Sequence, residues 1–202
     1  MREPDLRLEL LALDEEDRIL RGRSPEDGSL IGLAGHPCLE DLHKRNVSRL
    51  RAVVTTHGWP GRGLVGEDGA EAAWRFVQHA VDDPALQREA LGWLQAAAAA
   101  GEIPAWQPAM LEDRILVLEG RPQRYGTQWE FDADGDPAPC RIEDEVGVDD
   151  RRARIGLGPI VDELRRLRSH GTESRGVAPA AEDRAAWKAD FTAWARRVGW
   201  RA

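Results

Sequence analysis

The 202-residue chain carries 36 acidic and 28 basic side chains, a formal charge of -8. That balance excludes whole-molecule attraction to nucleic acid or to an anionic membrane surface. Hydrophobic residues make up 42% and charged residues 32%, a composition that supports one real core and is far from that of a disordered chain. No run approaches the roughly 18 apolar residues of a spanning helix, and Met1-Arg2-Glu3-Pro4-Asp5 lacks the basic start and apolar centre of a signal peptide. The expectation is a cytoplasmic protein with neither a nucleic-acid nor a membrane partner.

Leu6, Leu10, Leu13 and Leu20 recur at helical intervals and predict an amphipathic helix over 5–22. Asp17 falls on the same stripe. The Gly-, Ser- and Pro-rich stretch that follows, with Ser24-Pro25-Glu26-Asp27-Gly28, reads as a long loop within 22–40. Val47, Leu50 and Val54 mark a second helix, stopped by His57-Gly58-Trp59-Pro60. The glycines between Gly61 and Gly69 lack the Gly-Lys-Ser/Thr ending of a phosphate loop, so no nucleotide is assigned to them.

A helix over 69–82 follows, with Ala70, Ala73, Trp74, Val77 and Val81 on one face. Asp83-Pro84 is a cap followed by a first-turn proline, and starts a helix to about Ala100. A fifth helix spans 108–119 and closes at Gly120. Strand composition is confined to Thr127–Phe131 and Cys140–Ile142, on either side of an Asp132–Asp136 turn. Short helices start near Val148 and after Gly156. Trp187, Phe191, Trp194 and Val198 then recur near helical spacing. The fold class is mainly α: a compact helical domain over 1–170 with one small β-hairpin, a linker over 171–179 and an appended amphipathic helix over 180–202.

Cys38 and Cys140 have no short-spaced Cys or His companions of the kind a zinc knuckle or redox pair shows. Neither a metal nor a cofactor is expected. The informative residues are the polar ones that interrupt apolar faces, because an unpaired buried charge is retained only with a partner or a purpose. Asp17 either pairs with an arginine or caps a neighbouring helix. On the fifth helix Arg114 lies between Met110 and Leu118, with Asp113 on the other side of Met110. This is an internal ion pair or an anion-holding arginine oriented by a carboxylate. His79 sits at the border of its helix, where it is a hydrogen-bonded structural residue or a proton-transfer group lining a cleft. Gln123-Arg124-Tyr125-Gly126-Thr127-Gln128 packs amides, a phenol and a hydroxyl into one turn, to orient a ligand or to satisfy loop backbone.

Taken in order, Gly58-Trp59-Pro60, Val65-Gly66, Ala73-Trp74, Gln78-His79-Ala80, Asp113-Arg114, Gly120-Arg121-Pro122-Gln123 and Tyr125-Gly126-Thr127-Gln128 resemble a bacterial domain-of-unknown-function family, number 6624. Asp149, Arg151-Arg152 and Gly156-Leu157 resemble its closing segment, so the likeness covers about 5–168. The resemblance implies no activity. It implies shared polar positions at Asn46, His79, Asp113, Arg114, Gln123, Tyr125 and Gln128.

The functional expectation is a small-molecule acid–base enzyme of hydrolase or lyase type. His79, Asp113 and Tyr125 would be catalytic, and Arg114, Gln123, Gln128 and Asn46 would bind a small anionic or amide-bearing substrate. Gly-X-Ser-X-Gly is absent, so no covalent intermediate is expected. The alternative is a non-catalytic binding module in which the polar set is a structural network. In that case Trp187, Phe191 and Trp194 would form a contact for a partner or for a homo-oligomer.

Overall fold

Amphipathic periodicity over most of the chain produces a mainly α protein. The computed structural model describes residues 2–23, 37–132, 134–173 and 181–202, with 21–23, 37–40, 170–173, 181–185 and 187 described as backbone only. Among the described residues there are eight helices: α1 (Pro4–Arg23), α2 (Pro37–His57), α3 (Arg62–His79), α4 (Pro84–Ala99), α5 (Trp106–Leu118), α6 (Val148–Arg154), α7 (Ile160–Glu173) and α8 (Ala181–Arg197). One antiparallel hairpin joins β1 (Trp129–Phe131) to β2 (Pro137–Pro139). No described helix is long and apolar enough to cross a membrane. The chain divides into two compact units, Met1–Gln107 and Pro108–Ala202.

In the first unit α1, α2 and α3 pack against one another, and α4 packs on α3. Ion pairs set their directions. Arg7 and Asp14 of α1 meet Asp68 and Arg75 of α3, so the pairing rises together along both helices and they run parallel. Glu9 and Glu16 meet Arg49 and Arg45 of α2, an order that falls along α2 and makes it antiparallel to α1. The core between them holds Leu6, Leu10, Leu42, Leu50, Val53, Val65, Ala73, Phe76 and Val77. Their removal from water is the main term holding these helices together.

The structure departs from expectation at α2, α3 and β2. Helix α2 already begins at Pro37, inside the span read as loop; residues 24–36 of that loop lie outside the described residues. Helix α3 begins at Arg62, well before the expected position 69, because Glu102 caps it from a distance. The Glu102 carbonyl accepts from the Arg62 amide at 3.1 Å, and its carboxylate accepts from the Gly63 amide at 2.6 Å. A Cβ at Gly61 would stand 2.6 Å from Glu102 Cβ, so that glycine makes room for the cap. Gly66 then kinks the helix at φ 79 and ψ 173, a conformation essentially restricted to glycine.

The third departure is β2, which lies at Pro137–Pro139 instead of Cys140–Ile142. The Asp132 carboxylate accepts from the Asp134 and Asp136 amides, both at 2.9 Å, and closes the turn early. A two-stranded sheet consists only of edges, where proline is tolerated. Asp83 caps α4 as expected, accepting from the Leu86 amide at 2.9 Å.

In the second unit β2 packs on α7, and α6 on α7. The expected linker begins inside α7, which reaches Glu173; residues 174–180 lie outside the described residues. On α8 Trp194 is buried and stacks on Phe191 with ring centroids 5.5 Å apart, while the side chain of Trp187 lies outside the described residues. Beyond α8, Arg201 donates from Nε to the Leu118 carbonyl at 2.8 Å and from Nη2 to the Val117 carbonyl at 2.9 Å.

Candidate functional site

Three helices of the first unit each deliver one polar side chain to the same point. Asp17 of α1 is 3% exposed and His43 of α2 is 7% exposed. His79, the last residue of α3, keeps 21% of its side chain exposed. Asp17 Oδ1 lies 3.2 Å from His43 Nε2, and Asp17 Oδ2 lies 2.8 Å from His79 Nδ1. The two imidazole rings are 6.2 Å apart between centroids.

The α1–α3 register explains this arrangement. Asp14 holds Arg75 through two contacts of 2.6 Å, and one turn further along Asp17 Oδ2 meets His79 Nδ1. On the other side the Glu9–Arg49 and Glu16–Arg45 pairs fix α2 so that His43 arrives at the same level. A buried carboxylate without partners would cost several kcal/mol, roughly. Two imidazoles offset that cost here, and the half-exposed one gives the group an edge toward solvent.

Asp17 and His79 are both visible in the sequence as interruptions of apolar faces, but as separate ones. His43 is not. The second helix turns inward through Leu42, His43, Asn46, Leu50 and Val53, whereas Val47 and Val54 are only half-buried. Val47, Leu50 and Val54 all lie within about 40° of His43 on the helical wheel, so His43 is missed only because the apolar stripe is traced from Val47 onward. Extending the Leu50 and Val53 face back by helical spacing is the signal that recovers it. Asn46, three residues from His43 on that face, is 2% exposed. Among the described residues its Oδ1 has no hydrogen-bond partner.

The remaining residues singled out in the sequence belong to the second unit, where they organise the 123–128 loop. Asp113 of α5 is fully buried. Its carboxylate accepts from the amides of Arg124 at 2.7 Å, Tyr125 at 3.1 Å and Thr127 at 3.0 Å, and from the Thr127 hydroxyl at 2.9 Å. Burial pushes this carboxyl up from its usual value of 3.8, outweighing the amide donors that pull it down. Gln123 donates to the carbonyls of Gln128 at 2.9 Å and Cys140 at 2.8 Å and accepts from the Gln128 amide at 2.8 Å.

Arg152, which composition does not single out, is 4% exposed. It donates to the carbonyls of Gly158 at 2.6 Å and Tyr125 at 2.8 Å. The amides of Arg124, Tyr125 and Thr127 thus go to an acid, and the carbonyls of Arg124 and Tyr125 to the guanidiniums of Arg151 and Arg152. Gly126, at φ 66, packs its bare Cα against Ile160, where a Cβ would come within 2.4 Å of Ile160 Cδ1. Gln128 is buried, while Arg114 and Tyr125 are half-buried. Burial also pushes the Tyr125 phenol up, so it stays protonated at neutral pH.

A surface cavity of about 290 Å³ in this unit is lined by Glu112, Leu116, Arg121, Pro122, Arg124 and Glu143. Its charges are already paired: Arg124 with Glu112 at 2.9 Å and Arg121 with Glu119 at 3.2 Å.

No curated protein and no solved structure matches this chain. One sequence family does, over residues 4–173, a span that takes in the Asp17, His43 and His79 set as well as the Asp113 loop. The chain therefore belongs to the family of unknown function (DUF6624).

Proposed function

We propose that the protein is a small-molecule enzyme of hydrolase or lyase type whose acid–base centre is Asp17, His43 and His79. The observation that carries the reading is a buried carboxylate, 2.8 Å from the Nδ1 of a histidine whose side chain remains 21% exposed. In this reading Asp17 fixes the ring of His79 and offsets positive charge on it. The rest of the ring serves a small anionic or amide-bearing substrate or an attacking water. Water is the nucleophile, since the set contains no serine or cysteine. His79 keeps the proton-handling role that the sequence suggests, with Asp17 as its orienter.

Turnover of a panel of small amides, esters, phosphoesters and β-substituted acids, followed by mass spectrometry, tests the reading. His79→Ala is expected to lower the best activity by ~10²–10⁴-fold, the usual worth of a positioned acid–base group. A wild-type protein that converts none of the panel, or a His79→Ala variant that matches it, removes the reading. The second reading, a non-catalytic binding module, is favoured by one observation in the second unit. Asp113 and Gln123 spend their polar atoms on the chain itself.

A further inference from the structure

We propose that Asp17, His43 and His79 form the binding site of one divalent first-row transition-metal ion of zinc-like chemistry. The proposal rests on the enzymatic reading for its role: with an ion bound, Asp17 and His79 serve as its ligands and the water on the ion takes over the proton-handling part. Its binding stands on geometry alone.

The donor chemistry comes first. Two neutral imidazoles and one carboxylate are a borderline nitrogen and oxygen set that suits zinc or ferrous iron, whereas calcium takes six to eight oxygens. The set carries one negative charge, which a divalent cation more than neutralises. Three protein ligands with one side partly open to solvent is the pattern of a catalytic site; structural zinc sites close on four.

Spacing points the same way. Ligands held about 2.0–2.1 Å from one ion sit roughly 2.9–3.3 Å apart in octahedral or tetrahedral arrangements. Asp17 Oδ1 lies 3.2 Å from His43 Nε2 and Asp17 Oδ2 lies 2.8 Å from His79 Nδ1, one imidazole to each carboxylate oxygen. With one carboxylate oxygen as the ligand, the three donor atoms lie within 4.8 Å of one another, so a closure of at most about 1.5 Å brings the widest pair to the spacing of ligands on one ion. Arg75–Asp14, Arg49–Glu9 and Arg45–Glu16 bridge the helices that carry the ligands, and the apolar core beneath them holds the three helices in register.

A second, independent observation is Asn46. Its Oδ1 is buried one turn from His43 and has no hydrogen-bond partner among the described residues. A buried amide oxygen of this kind asks for a donor, and a metal-bound water supplies one.

The test uses the full chain, stripped of metal by dialysis against a chelator and then titrated with Zn²⁺ against a chromophoric competitor. Co²⁺ visible absorption reports the ligand geometry. One equivalent is expected to bind with Kd below ~1 μM. At 100 times Kd it should raise Tm by about 5–10 °C. His43→Ala and His79→Ala should each weaken binding by more than ~100-fold, since loss of even an outer-shell partner costs 10–100-fold. His57→Ala, exposed at the end of α2, should leave binding unchanged.

Circular dichroism checks that each variant is folded, and His79, being half-exposed, is the substitution least prone to disturb packing. Wild-type protein that takes up no stoichiometric Zn²⁺, or folded His43→Ala and His79→Ala variants that bind as tightly as wild type, overturns the proposal. The two readings fail separately. Turnover by chelator-treated protein without metal uptake sinks the metal site and spares the enzyme. One bound equivalent without any turnover does the reverse.

Discussion

Replacing Asp113 by alanine removes the acceptor on which the 123–128 loop is hung. Three backbone amides and one hydroxyl donate to this carboxylate, the shortest from Arg124 at 2.7 Å. Hydrogen bonds to a charged acceptor contribute about 1.5–3 kcal/mol each, so four amount to roughly 6–12 kcal/mol gross. The variant recovers the several kcal/mol, roughly, that desolvating the carboxylate costs. A net loss of about 3–5 kcal/mol remains, at the upper end of single substitutions.

Urea unfolding reads the total, and hydrogen exchange over 121–131 reads the mechanism, because the amides of Arg124, Tyr125 and Thr127 should lose protection together. A variant within ~1 kcal/mol of wild type, or one whose loop amides stay protected, refutes the anchoring role. The carboxyl also titrates. Its folded pKa is raised above the usual 3.8 by burial, so the folded state holds the proton more tightly than the unfolded chain does. The stability from this group is complete below about pH 4 and is lost as pH rises through the folded value. Asp113→Asn should therefore flatten stability against pH above that point.

Gly66→Ala should destabilise the protein by about 1–3 kcal/mol in thermal or urea unfolding, since φ 79 with ψ 173 is closed to a residue bearing a Cβ; an unchanged midpoint would show that the kink relaxes freely. Gln123→Glu turns an amide that donates to two carbonyls into a carboxylate facing them, and a loss of about 3–5 kcal/mol in urea is expected. A loss below ~1 kcal/mol would mean the loop rearranges around the new charge. Burial pushes the Cys140 thiol up to about 12. In a Cys38→Ser background at pH 8, native protein should react with iodoacetamide ~10²-fold more slowly than a free thiol, the small thiolate fraction being partly offset by its higher nucleophilicity. Alkylation at the rate of a small-molecule thiol would contradict this.

What the sequence discloses is local. Helix starts and stops are written in neighbouring residues, as at Asp83-Pro84 and Gly120, so the helical class and most boundaries are legible. The start of α3 is not, because its cap comes from Glu102, 39 positions from Gly63. The same distinction governs the site. Asp17 and His79 stand out individually as polar breaks in apolar stripes, yet their meeting depends on the parallel register of α1 and α3, a tertiary fact set by Arg7–Asp68 and Asp14–Arg75. His43 goes unread because the apolar stripe of α2 is traced only from Val47 onward, and a polar residue one turn earlier does not announce that the inward face continues. Asp113 is legible as a buried acid, but its partners are backbone amides, which no side-chain pattern records.

The contact between Arg201 and the end of α5 reaches from outside the family-matched span back into it. A chain trimmed at residue 173 would lose the guanidinium on the Val117 and Leu118 oxygens; the Val117 oxygen would keep the Gly120 amide, and the Leu118 oxygen would pass to water. For this protein the tail belongs in any comparison of melting behaviour: a shortened chain and one that keeps the tail differ by a capped carbonyl as well as by a helix.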